Sequence, residues 1–162
     1  MRALPRVELV VEPETLERTA LGTIAGHIWL RDGDAAAQGD FPEVGWPDQP
    51  VALLAAWVPA LQRLSRSVPA GEEITCAFVE GPYAFSVRAE GLGRWRLRCY
   101  ERRSGANSDR AVQEWLTDSA HLLASAVRAG RATLARCDAR GWWGPESEAL
   151  RRALEPTPTD RG

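Results

Sequence analysis

The sequence predicts an α+β fold, with an antiparallel sheet of about five strands packed against two main helices and a short C-terminal helix. Three observations predict it. Residues 72–102 hold three short runs of alternating apolar and polar residues, separated by Glu80-Gly81-Pro82 and Gly91-Leu92-Gly93. Leu54, Trp57, Leu61, Leu64 and Val68 recur at intervals of 3, 4, 3 and 4, the period of one buried helical face. Val112, Trp115, Leu116, Leu122, Leu123, Ala126 and Val127 form a second such stripe.

The first strand is expected at Val7–Val11, bounded by Pro5 and Pro13. A second runs from about Gly22 to Leu30, with Ile24, Gly26, Ile28 and Leu30 on one face and Thr23, Ala25, His27 and Trp29 on the other. Residues 31–47 form a connection longer than most in compact domains. Its aromatic residues, Phe41 and Trp46, are expected to fold back onto the domain. Asp48 can cap the helix beginning near Gln49, with Pro50 in its first turn, and Pro59 should kink that helix or free the carbonyl of Ala55.

In the three strands that follow, Ile74, Cys76 and Phe78, then Tyr83, Phe85, Val87 and Ala89, then Trp95, Leu97 and Cys99 face inward. Pairing Glu90 with Arg94 across the second turn sets Arg88 opposite Arg96 and Ser86 opposite Arg98. Opposed like charges destabilise a strand pair, so an acidic neighbour is expected, within the fold or on a partner. The longest helix is placed from Ser108 or Asp109, ending or bending around Gly130 with a continuation to Arg136. A last helix starts at Pro145 and stops at Pro156. The expected organisation is one globular domain over residues 1–155 and a disordered tail over residues 156–162.

All 20 basic residues of the 162 are Arg and Asn occurs once, which marks a GC-rich and so bacterial genome. The three cysteines contain no C-x-x-C pair and predict reduced, buried thiols in the cytoplasm. Residues 1–14 show no targeting pattern, and no apolar stretch approaches the roughly 20 residues of a membrane span. Charge is uneven: residues 1–50 hold nine acids against four Arg, a balance of −5, and residues 51–162 hold thirteen against sixteen, a balance of +3. Asp32, Asp34, Asp40, Glu43 and Asp48 fall in seventeen residues containing no base. Such a segment repels nucleic acid and attracts a basic protein surface.

No residue pattern specifies catalysis. His27 and His121 are the only histidines, and neither they nor Cys76 and Cys99 have zinc-motif spacing. Cys76 or Cys99 with His121 and Asp118 would make a nucleophile and base on paper, but strand burial quenches a thiol. The pairs Asp32/Asp34 and Glu72/Glu73 sit in solvated turns, and no nucleophile elbow or phosphate-binding glycine loop occurs. Neither a cofactor nor a metal is implied. Among the seven Trp, Trp29, Trp46, Trp142 and Trp143 lie near loops or polar faces and are the candidate interface anchors.

Four segments read together, Gly22-x3-Gly26-x-Ile28, Phe41-Pro42-x3-Trp46-x-Asp48, Leu53-Leu54-x2-Trp57-x3-Leu61 and Phe78-x-Glu80-Gly81-Pro82-Tyr83, resemble small uncharacterised bacterial proteins, some of which look like immunity proteins of polymorphic toxin systems. The resemblance spans roughly residues 20–100, and Glu80 stands where that pattern has Asp. It implies a soluble, non-catalytic α+β protein that binds and neutralises a cognate toxin, and it supplies no catalytic residues. With the charge pattern, it makes Trp29, Asp32, Asp34, Asp40, Glu43, Trp46 and Asp48 the expected partner-binding set. Two alternatives stay open: a small enzyme or ligand-binding domain with a pocket near Glu80, Tyr83 and His121, and a scaffold or assembly subunit.

Overall fold

A computed structural model describes residues 4–33, 39–66, 70–105 and 109–156. Its strands are β1 (Val7–Arg18), β2 (Ile24–Asp32), β3 (Asp40–Phe41), β4 (Pro47–Asp48), β5 (Glu73–Ala77), β6 (Tyr83–Gly91), β7 (Arg94–Glu101) and β8 (Arg110–Asp118). Helix α1 (Pro50–Arg66) lies between β4 and β5, while α2 (Ser119–Arg140) and α3 (Pro145–Leu154) follow β8. The α+β class holds, but the single sheet of about five strands does not. There are two four-stranded antiparallel sheets, one in which β2 pairs β1, β3 and β4, the other ordered β5-β6-β7-β8.

The additional strands are β3, β4 and β8, and β1 is longer than expected. The stretch expected to open the longest helix is strand β8, paired along its length with β7. Trp115 and Thr117 alternate into the interior, whereas Val112, which belonged to the expected helical stripe, is exposed. The helix starts instead after Asp118, whose Oδ1 accepts the backbone N–H of His121 at 2.9 Å. Strand β1 also runs past Pro13 to Arg18, through a register shift between Glu12 and Glu17. A proline is tolerated at such an irregularity, and Leu16 restores the buried face beyond it.

Helix α2 passes Gly130 without ending and closes at Gly141, in the left-handed region at φ 68°. Gly130 serves packing: an ideal Cβ there would lie 3.1 Å from Leu154 Cδ1, so its absence lets α3 approach. Helix α1 likewise continues through Pro59. The expected tail lies, but for Pro156, outside the described residues, as does Val68.

Side chains stitch the two sheets together. Thr117 of β8, fully buried, donates to the Pro5 carbonyl at 2.9 Å and accepts the Val7 N–H at 3.1 Å. Ser125 of α2 accepts the Leu9 N–H at 2.9 Å, so these edge groups of β1 are satisfied by side chains. An aromatic series fills the core: Trp46 meets Tyr83, Tyr83 meets Phe41, Phe41 meets Phe78, and Trp57 sits 5.1 Å from both Phe78 and Phe85. Phe41 and Trp46 thus fold back from their loop as expected. Edge-to-face rings of this kind add about 0.5–1.5 kcal/mol per pair beyond burial.

The opposed arginines also occur. Arg88 faces Arg96 and Ser86 faces Arg98, with a bulge displacing Glu90 from the ladder. Glu90 thereby reaches Arg96 at 2.9 Å, Glu114 of β8 reaches it at 2.8 Å, and Glu73 stands opposite Arg88. The acidic neighbours lie within the fold.

Candidate functional site

Two acids of the segment, Asp32 and Asp48, are drawn into the fold. Asp48, only 3% exposed, accepts the N–H groups of Gln49 at 2.7 Å, Val79 at 3.3 Å and Glu80 at 3.0 Å, and the Trp46 indole N–H at 3.1 Å. A carboxylate with four donors is a structural clamp. Trp29 is buried and donates its indole N–H to Asp40 Oδ1 at 3.1 Å. Asp32 is buried as well, Trp46 is half-buried, and Asp34 lies outside the described residues. Of the expected partner-binding set, Asp40 and Glu43 remain exposed, beside exposed Val44.

Neighbouring charges on the outer face of β1 and β2 are tied in rows. Arg31 donates to Glu8 at 2.9 Å and stands opposite Asp40, and His121 Nε2 lies 3.1 Å from Glu8. The hydrogen bond from Arg31 holds the Glu8 carboxyl below its usual value, against the opposing effect of burial and with help from His121. Two same-face pairs further along, beyond Val10 and Trp29, His27 Nδ1 lies 3.2 Å from Glu12.

The residues of the alternative pocket are not brought together. Tyr83 pairs with Glu101 at one end of the second sheet, while His121 bonds Asp118 at the other, where Asp118 pairs with Arg94. Burial raises all three thiols, pushing Cys76 up to about 12, so they are not nucleophiles at neutral pH. Among the described residues no group of three or more His, Cys, Asp and Glu is placed to hold a metal. No helix there is long and apolar enough to cross a membrane.

A different surface stands out. The turn joining β1 to β2 is closed by Thr19 N–H to the Thr23 carbonyl at 2.8 Å, Gly22 N–H to the Thr19 carbonyl at 2.9 Å and the paired Thr19 and Thr23 hydroxyls at 2.7 Å. Gly22, at φ 85°, permits the turn, and Leu21 at its tip is 93% exposed. Facing it across a cleft of about 260 Å³ is the connection between α2 and α3, where Trp143 is 68% exposed.

Trp143 follows a helix end that is itself held, because Arg151 of α3 donates to Asp138 of α2 at 2.6 Å. The Arg151 hydrogen bond keeps the Asp138 carboxyl below the usual carboxylate range, against the opposing effect of burial. Trp142, the inner neighbour, packs against Leu16, Ile24, Val51 and Cys137 and forms the cleft wall. Thr23 also lines an adjoining cleft of about 470 Å³ bounded by Trp46, Pro47, Glu80 and Gly81. One concave surface therefore passes round the hairpin, apolar at Leu21, Trp143 and Trp46, with Glu146 and Glu80 at its margin.

Trp46, Trp142 and Trp143, candidate anchors in the sequence, line this surface, but Leu21 was not among them: a lone Leu beside Gly in a turn has no periodicity to mark it. Compared with protein-family models, curated proteins and solved structures, the chain has no match.

Proposed function

We propose that this protein is a non-catalytic binding module of the immunity type, which neutralises a cognate bacterial toxin in the cytoplasm by covering part of its surface. The observation that carries the reading is the pair of exposed apolar side chains, Leu21 and Trp143, on either side of one cleft. Large apolar groups carried on a hydrogen-bonded turn and on the link between two packed helices lose less entropy on docking than a flexible segment would, and tryptophan is a common anchor of protein interfaces. Glu80 and Glu146 at the margin, with Glu17 and Glu43 exposed nearby in sequence to the lining segments, favour a partner that offers an apolar projection ringed by Arg or Lys. The acidic loop then contributes through Asp40 and Glu43, while Asp48 and Trp29 support it from inside.

Co-expression with the toxin encoded beside it provides the test. A stable complex and rescue of growth are expected; neither binding nor protection with any neighbouring toxin would overturn the reading.

A further inference from the structure

Another cleft, of about 350 Å³, shares Trp142 and Arg18 with the hairpin groove. Glu14, Glu17 and Arg18 line it from β1, and Arg136 and Arg140 from the last two turns of α2. The Arg140 guanidinium carbon lies 5.9 Å from the centre of the Trp142 ring. Among the described residues none of these three arginines or two glutamates joins an ion pair within 4.0 Å. Arg136 Nε is buried and has no hydrogen-bond partner. The dipole at the end of α2 favours cations and accounts for Arg136 and Arg140 being there. It accounts neither for Arg18, which arrives from a strand, nor for a buried N–H left unmet, which native interiors rarely hold.

We propose that this cleft binds a phosphate dianion, free or carried on a small molecule. Three arginines line the cleft from two elements, and their guanidinium groups offer planar donor forks, a set that suits a doubly charged tetrahedral oxyanion better than a single carboxylate. The two glutamates reduce the cleft's formal charge to +1, which suits a small ligand and opposes a long polyanion. Trp142 supplies an apolar wall against which the ligand's carbon skeleton can rest. The site needs no protein partner, so it stands or falls apart from the immunity reading.

Calorimetric titration of the full chain with inorganic phosphate and with glycerol phosphate, against chloride at matched ionic strength, tests it. Saturable binding with a Kd of about 1 mM or tighter is expected at low salt. Arg18→Gln, alone and with Arg136→Gln, should weaken it about tenfold or more, whereas Glu14→Gln with Glu17→Gln should strengthen it several-fold, a gain that loss of folding cannot mimic. Binding of glycerol phosphate alone would identify a carried phosphate, and binding of both a free one. No saturation by either compound at about 20 mM, or wild-type affinity in the folded Arg18→Gln variant, would overturn the proposal.

Discussion

Asp48 Oδ2 accepts the backbone N–H of Glu80 at 3.0 Å. With the bond from Val79 to the other oxygen, this ties the end of the acidic loop, just before α1, to the segment that follows β5. Asp48→Ala should therefore act on stability and not directly on recognition. Removing a buried acceptor and stranding its donors costs about 2–4 kcal/mol, several bonds to a charged group being lost together. Urea denaturation is the measurement, and a loss below about 0.5 kcal/mol would contradict the clamp.

Thr117 bridges β8 to β1 through both its donor and its acceptor capacity. Thr117→Val keeps the shape but leaves the Pro5 carbonyl and the Val7 N–H unmet, and should destabilise by about 1–3 kcal/mol. Thr117→Ser should retain most of the stability, because the hydroxyl survives. Equal losses in the two variants, read by thermal unfolding, would mean that the methyl group matters and the bridge does not.

Glu8 gives the stability a specific pH dependence. Its carboxyl is held below the ordinary value of 4.5 by the Arg31 hydrogen bond, with burial opposing and His121 assisting. A carboxyl depressed in the folded state contributes its stabilisation above its unfolded value and loses it as pH falls through the folded value. The stability gap between wild type and Glu8→Gln should thus be full near neutrality and close below 4.5. Acid titration of both proteins in urea checks this, and a gap independent of pH would refute it.

The thiols should be silent in the native state. Cys76, Cys99 and Cys137 are buried and their thiols raised by desolvation, Cys76 to about 12. Iodoacetamide at about pH 8 should leave the folded chain unmodified and label all three cysteines in denaturant. Rapid labelling of one native thiol would reveal local opening around it.

Much of the fold was legible because single elements carry their own periodicity. β2, α1, the β5 to β7 meander and α3 each bury one face with the spacing their backbone requires, and the Arg88 and Arg96 register followed from a tight turn. β8 was not legible, since Val112, Trp115 and Leu116 continue at helical spacing into the true helix stripe. The buried Thr117, whose alternation with Trp115 is the strand signal, is polar and reads as surface. How the two sheets come together depends on contacts such as Thr117 to Val7, across 110 residues, which no local pattern encodes.

The candidate surface was legible only in part, for a related reason. Acidic residues are visible in a sequence, but whether a carboxylate is spent on backbone N–H groups, as at Asp48, depends on a segment 31 and 32 residues away. Trp143 could be nominated but not separated from Trp142, its neighbour, which turns inward.

The most direct test of the account is the affinity of the proposed toxin partner for the wild-type chain and for the double variant Leu21→Asp with Trp143→Ala. Both side chains are exposed, so the thermal midpoint should stay close to wild type. Affinity should fall about 30-fold or more, as when a central anchor is lost from an interface. A double variant that folds normally and binds the toxin with undiminished affinity would contradict the account.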